Sequence, residues 1–180
     1  CSADVVSSTV PCSNKWMIGT VNSFFIGFIA TFIATTLGTL AALGLSRPHM
    51  PYKGLIMAIL ISPMIVPLII TAAGMFFFYA RINLVYSFTG IILAHVALAT
   101  PFVVITVTAT LVGFDMNMVK ASQSLGARPI RTFFKVIMPL ILPGVISGAL
   151  FAFITSFDEV VIVMFMGSLD QLTIPKQMWA

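Results

Sequence analysis

The segment from Phe114 to Pro139, FDMNMVKASQSLGARPIRTFFKVIMP, is the one long polar interruption in an otherwise apolar chain of 180 residues. Asp115 can cap a helix, Gly126 suits a left-handed helix end, and Pro129 suits the first position of a second helix. The segment is therefore predicted to form two short helices at an angle, although an amphipathic connector on the membrane surface would show the same pattern. The apolar residues at helical spacing are Met118, Ala121 and Leu125 before the glycine and Ile130, Phe133, Phe134 and Ile137 after it.

The composition of the whole chain is typical of a membrane protein. Hydrophobic residues make up 59% and charged residues 8% of the sequence, and the mean hydropathy is +1.11, unlike soluble globular domains. The net charge of +4 comes from only nine Lys and Arg residues, which fits loops facing the cytoplasm better than a nucleic-acid interface. The chain is predicted to be a single-domain, all-α integral membrane protein.

Four apolar stretches are long enough to cross a bilayer, which takes about 20 helical residues. Pro63 and Pro67 lie inside the second stretch and should bend or break its helix, because each lacks a backbone donor. Such a break is either a structural kink or part of a transport pathway. Pro143 is expected to open the regular helix of the fourth stretch. The predicted spans are at about residues 17–45, 54–79, 86–113 and 140–167.

Small residues recur at helical spacing in the first and fourth spans. They are Gly38, Ala41 and Ala42 in the first, and Gly144 and Gly148 in the fourth. Such residues permit close helix packing in lipid, although those of the first span are equally compatible with simple tolerance.

The third span contains one histidine, His95, which is either a hydrogen-bonded packing group or a proton relay. The chain has no Gly-rich phosphate loop with Lys-Ser/Thr, and no constellation of His, Cys or Ser for catalysis. No enzymatic activity, metal or other cofactor is predicted, so any ATP hydrolysis must come from another chain.

The basic residues are unequally divided between the two sides of the predicted topology. Because cytoplasmic loops are enriched in Lys and Arg, the side with six of them is predicted to be cytoplasmic, and it includes the 114–139 segment. The six are Arg47, Lys53, Lys120, Arg128, Arg131 and Lys135, and the three on the other side are Lys15, Arg81 and Lys176.

The N-terminal residues are polar and begin with Cys1 rather than Met. They lack the basic-then-apolar order of a signal peptide, so the sequence is expected to be part of a longer chain. Cys1 and Cys12 could pair in an oxidising compartment, but two cysteines at one end form neither a disulfide framework nor a metal site.

Asp158 and Glu159 lie inside the fourth predicted span, where a carboxylate costs about 2.5 to 3.5 kcal/mol at the bilayer centre. At 1.5 Å per residue they would lie roughly 22 Å from Pro143, toward the outer side. Thr155 is one turn below both. Either the carboxylates pair with Arg or Lys of a partner subunit or snorkel to the membrane interface, or one of them meets a cationic substrate along a path lined by Thr155, Asp158 and Glu159.

The 114–139 segment resembles the EAA signature loop of the membrane subunits of bacterial ABC importers. The signature run reads Lys120-Ala121-Ser122 here, with Gly126 four residues after it and Val136-Ile137-Met138-Pro139 closing the loop. Lys120 stands where the family usually has Glu. The resemblance extends from about Asn22 to Trp179. Two further segments are similar to the spermidine/putrescine branch of the family, the PotC-like permeases: SFDEVV at 156–161 and TIPKQMW at 173–179.

The resemblance implies part of a type I ABC importer transmembrane domain in the bacterial inner membrane. It implies that the loop couples to an ATPase subunit through Lys120, Ala121, Ser122, Gly126 and Pro139. Further expected partners are a second permease subunit and a periplasmic binding protein, and further spans are expected at both ends. The expected cargo is a polyamine. The alternatives are an importer of another solute, such as ferric iron, sulfate or thiamine, and a channel or assembly factor without an ATPase.

Overall fold

The computed structural model describes residues 12–47, 50–113, 117–168 and 171–179, with side chains from Asn14 onward. Within these ranges every regular element is a helix. Cys1, the Cys12 side chain and the predicted cap Asp115 lie outside the described residues. The helices are α1 (Cys12–Leu45), α2 (Lys53–Ile65), α3 (Leu68–Arg81), α4 (Phe88–Val112), α5 (Asn117–Ser124), α6 (Pro129–Thr132), α7 (Met138–Asp158), α8 (Val161–Met166) and α9 (Ile174–Met178), and a π-helical turn at Phe133–Ile137 joins α6 to α7.

The core of the fold is a bundle of α1, α4 and α7, which pack against one another in all three pairs. Three helices of the described chain are long and apolar enough to cross a membrane: Asn14–Leu45, Phe88–Val112 and Pro129–Asp158. Helix α4 is the most buried of the three, and it is therefore the central element.

Glycines bring these helices close together. A β-carbon on Gly38 of α1 would lie only 2.7 Å from the Val103 Cβ of α4, and one on Gly148 of α7 would lie 2.5 Å from the Thr106 Oγ1. Gly144, one turn before Gly148, also faces α4 without room for a side chain. Because lipid is as apolar as the helix surfaces, this close packing is what holds the helices together. The predicted close-packing role of these glycines is confirmed.

The second apolar stretch is broken, as predicted. Helix α2 ends at Ile65, α3 begins at Leu68, and the two helices are bent by 103° at the break. The break occurs at Pro67, because a proline disfavours the helical conformation of the preceding residue, and Val66 is extended with ψ 136°. Pro63 remains inside α2. The two helices add a fourth crossing only if they belong to one span.

The prediction of two short helices in the 114–139 segment is wrong for the second one. Helix α6, the π turn and α7 form one helix from Pro129 to Asp158. Pro129 does occupy the predicted first turn, but Pro143 lies inside α7 and does not open it. The sequence alone does not distinguish a proline inside an apolar helix, such as Pro143, from a proline at the start of a helix.

The π turn explains how the long helix tolerates Pro139. A proline ring collides with the carbonyl four residues earlier, here that of Lys135. The helix widens at this point, and the Met138 N–H donates to the Phe133 carbonyl five residues back. The local widening removes the collision without ending the helix.

The fourth predicted span, 140–167, is also interrupted near its outer end. Asp158 is the last residue of α7, Glu159 is extended with ψ 115°, and the chain resumes helical structure as α8. The two carboxylates therefore lie at a helix break and not within a continuous helix, which corrects the prediction.

Contacts at one end of the bundle fix the direction of its helices. The Ser23 Oγ near the start of α1 accepts a hydrogen bond from the Ile174 N–H at 2.9 Å. The Tyr86 N–H, just before α4, donates to the Met166 carbonyl at the end of α8, also at 2.9 Å. The starts of α1 and α4 thus lie at the same end of the bundle as the end of α8 and the start of α9.

Candidate functional site

The 114–139 segment turns at Gly126, which has φ +80°. The Ala127 N–H donates to the Ser122 carbonyl at 3.1 Å and the Gly126 N–H to the Gln123 carbonyl at 2.9 Å. These two hydrogen bonds form a Schellman motif, in which a residue in the left-handed conformation ends a helix. The left-handed conformation predicted for Gly126 is confirmed, and it sets the angle at which α5 leaves the bundle.

A second contact fastens α5 to the long helix. The Ser122 hydroxyl lies 2.6 Å from the hydroxyl of Thr132, which is buried. Lys120 and Ala121, also expected in the coupling loop, are exposed on α5, and Pro139 is exposed at the start of α7. The structure thus joins Ser122 and Gly126 in one turn and leaves Pro139 on the long helix.

The surface around this turn is strongly apolar for a segment predicted to meet water. Exposed fractions reach 88% for Leu125 and 75% for Ile130, and Met118 and Phe134 are at least half exposed. Exposed apolar residues grouped on a protruding turn are typical of a protein contact.

A cavity of about 310 Å³ lies at the other candidate site. It is located where the two helix breaks meet, since Leu68 opens α3 and Asp158 ends α7. Thr155, Asp158 and Glu159, the three predicted path residues, all contribute to its wall. The full lining is Leu68, Ile154, Thr155, Asp158, Glu159 and Val160.

The two carboxylates have different surroundings. Asp158 is exposed, whereas Glu159 is buried with 7% of its surface accessible. The Glu159 Oε1 accepts a hydrogen bond from the Ile162 N–H at 2.9 Å, so it caps the first turn of α8. Within the described residues, neither carboxylate forms an ion pair with a lysine or arginine. Asp158 is therefore the carboxylate open to a ligand.

The cavity also lies at the carbonyl end of α7, which carries partial negative charge. Together with the Asp158 carboxylate and the Thr155 hydroxyl, this end offers oxygen acceptors and no cationic side chain. A primary ammonium group, with three N–H donors, matches such a set of acceptors.

His95 is hydrogen-bonded within the bundle, as one of its two interpretations expected. Its Nδ1 lies 2.8 Å from the Ser156 hydroxyl of α7, and both residues are buried.

Two features of the cavity were not predicted from the sequence. The participation of Leu68 depends on α3 packing against α8, and the capping role of Glu159 depends on the start of α8. The proline at 67 was the one available signal, since a break in a transporter helix often borders a pathway.

Comparison with known proteins places this architecture in context. Residues 18–179 match the family model described as binding-protein-dependent transport system inner membrane component. The chain is 32% identical over 160 residues to the spermidine/putrescine transport system permease protein PotC of Haemophilus influenzae, covering 89% of this chain and 62% of the relative. It is 31% identical over 144 residues to the trehalose transport system permease protein SugB of Mycobacterium tuberculosis, covering 80% and 53%.

A solved structure has the same fold. A chain from the crystal structure of a bacterial ABC transporter involved in the import of the acidic polysaccharide alginate superposes with a TM-score of 0.73 at 17% identity. The match covers 92% of this chain and 57% of that one. The predicted all-α fold of an ABC importer membrane domain is confirmed, and the chain spans roughly three fifths of the proteins it resembles.

Proposed function

The chain belongs to the family of binding-protein-dependent transport system inner membrane components, and on this basis we propose that it serves ATP-driven import of polyamines. As a member of that family it is a multi-pass protein of the bacterial inner membrane. In this proposal it is a permease subunit that passes spermidine or putrescine from the periplasm to the cytoplasm. It is not itself the ATPase.

The exposed Asp158 carboxylate in the cavity is the observation that carries the polyamine assignment. A carboxylate without an ion-pair partner is costly at membrane depth, and a cationic cargo would supply that partner during passage. The similarity to PotC supports the same cargo class. A neutral sugar would offer the Asp158 carboxylate no positive charge to pair with.

The proposed partners follow from the surfaces of the chain. We propose that the turn around Gly126, with exposed Leu125 and Ile130, docks on a cytoplasmic ATPase subunit. A second permease subunit would pack against the exposed apolar surface of α2 and α3, in which Ala72 is the one buried residue among those described. A periplasmic binding protein would deliver the cargo.

Transport by the complete assembly tests this proposal. The full-length protein, its partner permease, its ATPase and its binding protein would be reconstituted in proteoliposomes and supplied with radiolabelled putrescine, spermidine or trehalose. We expect ATP-dependent uptake of the polyamines, reduced about tenfold or more by Asp158→Asn, since loss of about 1.4 kcal/mol corresponds to tenfold. Asp158→Glu, which keeps the charge, is the matched control.

The similarity to a trehalose permease favours one alternative, import of a neutral sugar. In that case trehalose uptake would exceed polyamine uptake, and Asp158→Asn would leave the rate unchanged. Import of ferric iron, sulfate or thiamine would appear as uptake of that solute in place of polyamines. Cargo movement without ATP would indicate a channel and would contradict the importer proposal.

A further inference from the structure

The contact between His95 and Ser156 is a polar group placed deep inside an apolar bundle. His95 is 2% exposed and Ser156 is 5% exposed, and the Nε2 of the imidazole is buried without a hydrogen-bond partner. Burying an imidazole that is only half satisfied is unfavourable, so packing alone would favour an apolar residue. The position of the pair in the bundle indicates what the contact achieves.

The rest of the seam between α4 and α7 has no directional contact. Gly144 and Gly148 of α7 lie against the α4 backbone and its threonines, where close packing brings the helices together. Within the described residues, the His95–Ser156 hydrogen bond is the only side-chain hydrogen bond that joins these two helices. It therefore fixes the rotation of the last turn of α7 relative to α4.

That rotation determines where Asp158 points. Successive helical residues are about 100° apart, so Asp158 lies about 200° around the helix from Ser156. When Ser156 faces α4, the opposite face of α7 is directed into the cavity; that face carries Ile154 and Asp158, and Thr155 lies at its edge, about 100° from Ser156. The hydrogen bond is also only two residues from the helix break, where an unrestrained helix end would fray.

We propose that His95 is a positioning residue for cargo passage, acting through Ser156 to hold Asp158 in the cavity. This inference rests on the proposed function, in which Asp158 contacts the cationic cargo. The imidazole would not touch the cargo itself. His95 contributes a directional hydrogen bond between α4 and α7, whereas the contacts at Gly144 and Gly148 are close packing without a preferred direction.

Ser156→Ala is the sharpest test, because it removes the hydroxyl and keeps nearly the same volume at a buried position. In the reconstituted full-length complex with saturating cargo-loaded binding protein, we expect putrescine uptake to slow by about 3-fold to about 18-fold, the range of interhelical hydrogen bonds in membranes. His95→Leu should show a similar loss. His95→Asn should retain most of the rate, because its amide can place a polar atom near the position of Nδ1.

The double variants separate positioning from general stability. In an Asp158→Asn background, Ser156→Ala should slow uptake no further, since the carboxylate that it positions is already absent. Wild-type uptake by Ser156→Ala, further slowing in the Asp158→Asn background, or equal loss in His95→Asn and His95→Leu would each overturn the inference. Ser156→Ala decides the question even if His95→Leu fails to assemble.

The same measurements distinguish this inference from the proposed function. If Asp158→Asn slows uptake but Ser156→Ala does not, the positioning role is wrong and the polyamine importer stands. If Asp158→Asn transports putrescine normally, or the wild-type complex transports none, the proposed function fails and the inference fails with it.

Discussion

The Glu159 carboxylate accepts a hydrogen bond from the Ile162 N–H at 2.9 Å, while the neighbouring Asp158 carboxylate is exposed in the cavity. Two adjacent residues of the same chemistry thus have different surroundings. Glu159 secures the start of α8, and Asp158 is available to a ligand. The helix break between α7 and α8 produces this division, because it removes Glu159 from the helical geometry that the sequence implied.

The capping role of Glu159 predicts different outcomes for two substitutions. Glu159→Gln keeps a side-chain oxygen that can accept from Ile162, so folding and assembly should be retained. Glu159→Leu removes the acceptor and should lower the stability of the protein by about 1 kcal/mol, the usual effect of losing a helix cap. Thermal unfolding of the purified full-length protein, followed by tryptophan fluorescence, measures the difference. Equal stability of the two variants would contradict the cap.

Substitutions of Gly126 that cannot adopt its left-handed backbone conformation should disturb the coupling between ATP hydrolysis and uptake. A β-carbon at this position would meet no atom within 4 Å, so only the φ of +80° opposes substitution. Gly126→Val should strain the turn by about 1–2 kcal/mol and uncouple ATP hydrolysis from uptake. Gly126→Asn is the matched control, because asparagine tolerates the left-handed conformation. The ratio of ATP hydrolysed to cargo transported is the measurement, and an unchanged ratio for the valine variant would exclude a coupling role for this turn.

Lys120 predicts an acidic partner on the ATPase. The side chain is exposed on α5, where the family usually has Glu. If Lys120 contacts an acidic residue in the docking groove, Lys120→Glu should weaken copurification of the ATPase, since like charges repel. Lys53→Glu makes the same charge change on α2, outside the 114–139 segment, and serves as the control. Tighter or unchanged assembly with Lys120→Glu would mean that the lysine is merely solvated.

Helices α4 and α7 pack so closely that a larger side chain between them should lower the stability of the protein. Gly148→Ala would place a β-carbon 2.5 Å from the Thr106 Oγ1 and 3.0 Å from the Val103 Cα. Because the Val103 backbone cannot yield easily, the variant should lose about 1–3 kcal/mol of stability, as overpacked cores do. Gly44→Ala in α1 is the control, since no atom lies within 4 Å of its β-carbon. Comparable melting temperatures for both alanine variants would show that the seam can relax.

The sequence by itself determined the class of fold and the conformation of its sharpest turn. Apolar stretches longer than a bilayer requires left few alternatives to membrane helices, and Gly126 was the residue type that the left-handed helix end needs. The break near Pro67 was equally predictable, because proline restricts the residue before it whatever the tertiary surroundings.

Only the tertiary structure decided where the helices end and which side chains meet. The sequence could not show that a π turn carries the helix past Pro139, because a proline within an apolar stretch can either end a helix or be accommodated by local widening. Nor could it show that Asp158 and Glu159 point to different surroundings. Their separation depends on the helix break after Asp158, and the cavity also needs Leu68 from a distant segment. Contacts between segments so far apart in the chain leave no local pattern.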